Sequence, residues 1–416
     1  MEREAVARNQ RARLYGAMIE AVAHRGYAAA SVAEVLALAG VSRRALYELF
    51  SNKEDCFLAT YDSVVARARK VMLDAWASER GWANRVHASS KALLDDIANF
   101  PKPARLVLVE SLAVGASVRE RVQLAGHIFE RLALVAFSSA PNGPDLPRLS
   151  SKAIVAGVRH VLFLRLREGR EEELYSLTDE VLDWCESCRS PLVARLGATT
   201  GPDAASRSRP GPTTLLAAGE DRARVLISII YLALDDGYDG LSDPQIAQFA
   251  GISTEAFHQQ FASKQAAFLA LLDAIAEEAL ASVRERMGGA GWPESVNLGV
   301  RAFVDYLVSH EALTRIAFVE LFSLGPAIVD RLTGIVDELT RLLTESGCRP
   351  CRGPLIAEDA IAGALWGIIS SCVLGNRVDQ LPRVTEHLSF LVLAPYIGAE
   401  AAVDSIEAAR GRPSSG

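Results

Sequence analysis

Apolar residues recur along this chain at helical spacing. Leu14, Ala17, Met18, Ala21 and Val22 fall at i, i+3, i+4, i+7 and i+8, one face of an amphipathic helix. Val225, Ser228, Ile229, Leu232 and Ala233 repeat that stripe with one polar substitution. Gly26 is a natural stop for the first of these helices. Ser31-Val32-Ala33-Glu34 reads as a capping box opening a short second helix that ends near Gly40. Ser42 then caps a third helix through about Leu49, and Ser51-Asn52-Lys53-Glu54 reads as a capping box opening a long fourth. Ser242-Asp243-Pro244-Gln245 repeats the device in the second half, with Pro in the first turn. Further amphipathic segments follow without convincing strand alternation, so the expected fold class is all-α.

The two halves align on each other. Ala39 to Tyr47 reads AGVSRRALY, and Ala250 to His258 reads AGISTEAFH. Arg13 pairs with Arg224, Gly26-Tyr27 with Gly237-Tyr238, and Lys53 with Lys264, and no gap is needed from Arg13 to Leu58. Further on, Gly81-Trp82 pairs with Gly291-Trp292, Glu110 with Glu320, Arg121 with Arg331, Ala156-Gly157 with Ala362-Gly363, and Thr178 with Thr385. Collinear matches over such a length indicate a tandem duplication rather than a short-period solenoid. Residues 197–219, rich in Gly, Pro, Ser and Thr, have linker composition.

Charge separates the halves. The net charge is −7, but residues 1–196 carry 27 Lys and Arg against 24 Asp and Glu, whereas residues 197–416 carry 17 against 27. An acidic polymer would therefore be met by the first half. Two short helices joined by a tight Gly-containing turn have helix-turn-helix geometry. On the third helix, Val41, Ala45, Leu46 and Phe50 can face inward while Arg43, Arg44 and Tyr47 remain outward. Arginine bonds bidentately to guanine or to phosphate, a tyrosine hydroxyl suits a phosphate, and Lys53 adds charge at a helix N-terminus. In the second half the outward pair becomes Thr254 and Glu255, among Asp235, Asp236, Asp239 and Asp243, with Arg222, Arg224 and Lys264 as the positive residues. Phosphates repel such a surface, so the second head is expected to have weakened or altered DNA binding.

Gly26-Tyr27, Ser31, Ala39-Gly40-Val41-Ser42, Leu46-Tyr47, Phe50 and Lys53-Glu54 together resemble the N-terminal domain of TetR-family transcriptional regulators. The second copy keeps Gly237-Tyr238, Ala250-Gly251-Ile252-Ser253, Phe261 and Lys264 of that frame. The resemblance implies two tandem TetR-like units, each a three-helix helix-turn-helix domain followed by a helical effector and dimerisation domain. The expected divisions are residues 8–68 and 69–196, the linker 197–219, then 220–280 and 281–404. Carried over by position, Ser31, Ser42, Arg43, Arg44, Tyr47 and Lys53 are the expected DNA contacts. Arg44 departs from the small residue the family often carries there. Also implied are double-stranded DNA as partner, a small-molecule effector that relieves repression, and either an intramolecular pseudodimer or a homodimer. The competing class is a helical scaffold that kept the fold without specific DNA binding.

Other features carry less. Cys185-Glu186-Ser187-Cys188 and Cys348-Arg349-Pro350-Cys351 are CxxC pairs, but no His stands at ligand spacing beside either, so no metal site is expected. His87, His127, His160, His310 and His387 read as structural polar residues. Trp76, Trp82, Trp184, Trp292 and Trp366 suit either core packing or an apolar effector pocket. Glu110 and Glu320 suit a pocket carboxylate or a solvated helix face. P-loop, GxSxG and HExxH patterns are missing, so neither catalysis nor a cofactor is expected. The charged N-terminal stretch lacks an apolar signal region, and the uncharged run Ala360–Asn376 is short of a bilayer span, so a cytoplasmic, membrane-free protein is expected.

Overall fold

The computed structural model describes residues 2–115, 117–140, 148–189, 193, 196, 220–320, 327–345 and 356–410. The expected linker 197–219 and the Cys348–Cys351 pair lie outside these residues. Among the described residues every regular element is helical. The chain divides into two compact units, residues 1–186 and 187–416.

The first unit begins with α1 (Glu2–Ala29), α2 (Val32–Ala39), α3 (Arg43–Leu49) and α4 (Lys53–Ser78). The α1 stripe is buried as its spacing predicts, and closes with Val35, Leu46, Phe50 and Phe57 over a small core. Gly26 breaks α1 with φ 75° and ψ 160°, backbone that essentially only glycine adopts. Gly40 ends α2 in the left-handed region at φ 58° and so turns the chain into α3.

The caps depart from the expected boxes in detail. Ser31 Oγ accepts the Glu34 N–H at 3.2 Å, but the Glu34 carboxylate lies 3.5 Å from Arg25 instead of reaching back. The cap of α4 is Asn52 rather than Ser51. Its Oδ1 accepts the Asp55 N–H, and the Asp55 carboxylate accepts the Ser51 N–H, both at 2.8 Å. Asp55 makes the reciprocal bond possible one residue later than the sequence pattern suggests. Ser242 accepts no backbone N–H; its hydroxyl donates to Gln245 Oε1 at 2.6 Å. Pro244 removes one first-turn donor, and Asp243 instead accepts the Lys264 N–H at 2.8 Å.

The rest of the first unit is α5 (Trp82–Asn99), α6 (Pro101–Leu108), a 3-10 turn (Glu110–Ala113), α7 (Val118–Ser138), α8 (Arg148–Arg167) and α9 (Thr178–Ser187). Helix α4 runs unbroken through residues 68 and 69, so head and body share a helix. The second unit contains α10 (Glu220–Gly240), α11 (Asp243–Ala250), α12 (Thr254–Gln260) and α13 (Lys264–Met287), then α14 (Glu294–Ser309), α15 (Glu311–Val319), α16 (Ala327–Glu345), α17 (Ala357–Leu374), α18 (Leu381–Ile397) and α19 (Ala399–Arg410). Helix α17 is long and apolar enough to cross a membrane, yet 56% of it is buried inside its own unit, which suits a core helix.

Specific contacts recur in both units. Gly237 breaks α10 at φ 67° and ψ 169°, as Gly26 breaks α1. The Tyr27 N–H donates to Glu110 Oε2 at 3.1 Å, and the Tyr238 N–H to Glu320 Oε2 at 3.0 Å. Arg121 pairs with Asp62 at 2.8 Å, and Arg331 pairs with Asp273. Trp82 Nε1 donates to the Ala136 carbonyl at 2.6 Å, and Trp292 Nε1 to the Leu343 carbonyl at 3.3 Å.

The glycine breaks give one prediction. A Cβ at Gly26 would stand 3.3 Å from Glu110 Oε2, whereas at Gly237 the nearest atom would be 3.8 Å away. Gly26→Ala is expected to destabilise the first head by about 1–3 kcal/mol, from backbone strain alone. Gly237→Ala should cost its own head less, because the carboxylate need not shift. Hydrogen exchange of α1–α3 and α10–α12 in the full chain reads both effects.

Candidate nucleic-acid interface

Helix α3 is a short platform fixed at both ends. Ser42 Oγ accepts the Ala45 N–H at 3.2 Å, and the Phe50 N–H returns to the Leu46 carbonyl at 2.8 Å. Val41, Ala45, Leu46 and Phe50 are buried beneath it. Arg43, Arg44 and Tyr47 stand exposed on the other side. The Arg43 guanidinium lies 5.8 Å from the Tyr47 ring centroid, and Arg44 Nε bonds Glu48 at 2.9 Å. The Arg44 side chain is nevertheless 90% exposed, so that pair is screened and weak.

The other expected contacts are placed differently. The Ser31 and Ser42 side-chain oxygens act as helix caps, which leaves each hydroxyl hydrogen free to donate outward. Lys53 turns inward. Its Nζ donates to the Tyr27 carbonyl at 3.0 Å and the Ala30 carbonyl at 3.1 Å, and lies 4.2 Å from the Tyr27 ring centroid. Burial lowers its pKa from the ordinary value. Lys264 repeats this arrangement with the Tyr238 carbonyl at 3.1 Å, the Leu241 carbonyl at 2.7 Å and the Tyr238 ring at 4.4 Å.

The matching face of the second unit has the opposite charge. Glu255 is exposed on α12, and hydrogen bonds from its own backbone N–H and from Ser253 hold its carboxyl below the usual range. Asp235 and Asp236 are exposed nearby in sequence. Of the positive residues there, Arg224 pairs with Asp221, Arg222 stacks 4.4 Å from the Phe261 ring, and Lys264 is turned inward.

Residues 17–60 match the family model described as bacterial regulatory proteins, tetR family. This match runs from the buried stripe of α1 through α2 and α3 into α4, so the first head is a tetR-type helix-turn-helix domain. No curated protein matches the chain. Two solved structures are similar at low identity. One is the transcriptional regulator FadR from Bacillus subtilis in complex with stearoyl-CoA, at 17% identity and TM-score 0.38, covering 43% of this chain and 98% of that one. Another is the fatty acid degradation regulator FadR from Bacillus halodurans, at 17% identity and TM-score 0.34, covering 45% of this chain and 97% of that one.

Behind the tetR-type head, α4–α9 line a half-open, mostly apolar cavity of about 310 Å³. Among the described residues, its charged lining residues are Arg67, Asp96 and Arg159. Arg67 pairs with Asp96 at 2.6 Å and stacks 4.9 Å from the Phe100 ring. Tyr61 lies on the cavity wall with its phenol pushed up to about 12, chiefly by burial, against the opposing influence of Arg159. Trp76 also lines the cavity, whereas Trp184 is fully buried in the core. Glu110 is half-buried outside the cavity lining, where it tethers the body to the Gly26 break. Val107 and Leu108, just before it in the chain, line the cavity.

In the second unit α13–α17 surround a smaller cavity of about 90 Å³, where Trp366 stacks on Phe318 at 4.5 Å. Among the described residues its lining contains no charged residue.

The remaining candidates are structural. His160 and His387 are pushed down to about 4, first of all by burial, and stay neutral. The Cys188 thiol is pushed up to about 12 by burial, which makes it a poor nucleophile. Among the described residues no cluster of three or more His, Cys, Asp or Glu could hold a metal ion.

Sequence reading passed over Arg159. The available signal is a lone arginine in the apolar run of α8, where the matching position of the second half carries Leu365.

Proposed function

We propose that this chain is a DNA-binding transcriptional regulator, a repressor released by a small-molecule effector, that reads DNA through α3. The observation that carries this reading is the exposed Arg43, Arg44 and Tyr47 face on a capped helix at the end of a tetR-type helix-turn-helix. Guanidinium groups on such a helix can reach guanine edges or phosphates in a major groove. The cavity behind the head is the effector site, and the Glu110 tether offers a direct mechanical link between them.

In this reading the chain is a tandem duplication, with units divided near residues 8–68, 69–196, 220–280 and 281–404. The equivalent contacts made within each unit, at Gly26 and Gly237, Glu110 and Glu320, and Lys53 and Lys264, support it. The second head keeps the fold and carries an acidic face where phosphates would lie, so it serves as an interface partner rather than an equal reader. Two heads must meet half-sites about 34 Å apart. They come either from one chain as a pseudodimer or from two chains.

Selection of bound fragments from random DNA by the full chain tests this reading. Two matching half-sites mean two first heads, and a single half-site means a silent second head. Two different half-sites would mean that both heads of one chain read sequence. Specific binding should also fall steeply as salt rises, because phosphate contacts release counterions. Recovery of no enriched sequence, with weak binding to all fragments, would overturn the regulator reading.

A further inference from the structure

Arg159 is in an unusual position. It projects from α8 into the cavity and is surrounded by protein, yet much of its surface is accessible. It has no ion pair or hydrogen bond among the described residues. Tyr61, on the same wall, also has no hydrogen-bond partner among them. Arginine stays charged at any physiological pH, and a charge crowded by protein without a counterion is costly. Arg67, the other cation of the lining, is already neutralised by Asp96. The cavity therefore holds one uncompensated positive charge beside the Tyr61 hydroxyl, with the Ser89 and Ser90 hydroxyls and the Arg67–Asp96 pair set among mostly apolar walls.

The geometry points to a monocarboxylate with an apolar body as the ligand of this cavity, its carboxylate held by Arg159 and Tyr61. This deepens the effector reading proposed above, and only its regulatory consequence rests on that reading. One negative charge matches one free guanidinium, which can bind a carboxylate through two parallel N–H donors. A phosphate monoester carries close to two charges, and the second would remain unmatched. The volume lies at the small end of ligand pockets, which suits one chain or ring system. In the second unit Leu365 stands where Arg159 stands in the first, and Leu272 where Tyr61 stands, both lining the smaller cavity. Only the first unit can bind an anion this way, so the stoichiometry is one ligand per chain.

The test is calorimetric titration of the full chain with straight-chain carboxylates of increasing length, the alcohols of the same lengths and the corresponding alkyl phosphates. At the best length the carboxylate should bind roughly 10- to 100-fold more tightly than the alcohol, and more tightly than the phosphate. Arg159→Leu, the residue the second unit carries, should remove that preference while alcohol binding persists. Arg159→Gln, which keeps a polar head, should lose it as well. Equal affinity for alcohol and carboxylate, tighter binding of the phosphate, binding of none, two sites per chain or an undiminished preference in both variants would each overturn the proposal. DNA release is measured separately by adding the carboxylate to a complex with a selected fragment. Binding without release would leave the ligand assignment standing and count against the effector reading.

Discussion

Replacing Arg43 and Arg44 together by alanine is expected to weaken specific DNA binding by about 2–6 kcal/mol, at about 1–3 kcal/mol for each bidentate contact. The fold should survive. Alanine is the best helix former, the Ser42 cap and the buried Ala45 and Leu46 are untouched, and the exposed Arg44–Glu48 pair contributes little. Each of the two that contacts a phosphate instead should lower the slope of log affinity against log salt by about 1. Fluorescence anisotropy on a selected fragment at several salt concentrations measures both quantities. Unchanged affinity and slope would exclude α3 as the reading helix.

Lys53→Met is expected to destabilise the first head by about 2–4 kcal/mol. Methionine can cover the same apolar surface, but it leaves the Tyr27 and Ala30 carbonyls without their charged donor. Each such bond contributes about 1.5–3 kcal/mol when well shielded, and partial solvation discounts the sum. Lys264→Met should cost the second head a similar amount, because its two carbonyl contacts are the same in kind. Hydrogen exchange across α1–α4 and α10–α13 reads the two effects side by side. If Lys53 served mainly to bind phosphate, its substitution would leave exchange unchanged and reduce DNA affinity alone.

These two substitutions mark how far the sequence could be read. The stripe of α1, the Gly26 break and the capped α3 follow from residues within a turn or two of each other, where local chemistry determines structure. The inward burial of Val41, Ala45, Leu46 and Phe50 follows from helical periodicity in the same way. The direction of Lys53 does not. A lysine at a helix N-terminus is equally suited to solvent, and only the Gly26 break, which brings two carbonyls beneath it, turns it inward. Glu110 was less legible still, since its partner is the backbone of Tyr27 in another element of the fold. Arg159 was visible as a charge in an apolar helix, but its meaning depends on a cavity formed by six helices.

In the tandem reading proposed above, the exposed Glu255 of α12 has a consequence for inheritance. In an assembly of identical subunits one gene specifies every recognition helix, so a substitution alters all heads at once. Here α3 and α12 occupy separate stretches of one reading frame. A glutamate at position 255 changes one head and leaves Arg43 and Arg44 intact in the other. Each helix can therefore drift under its own selection.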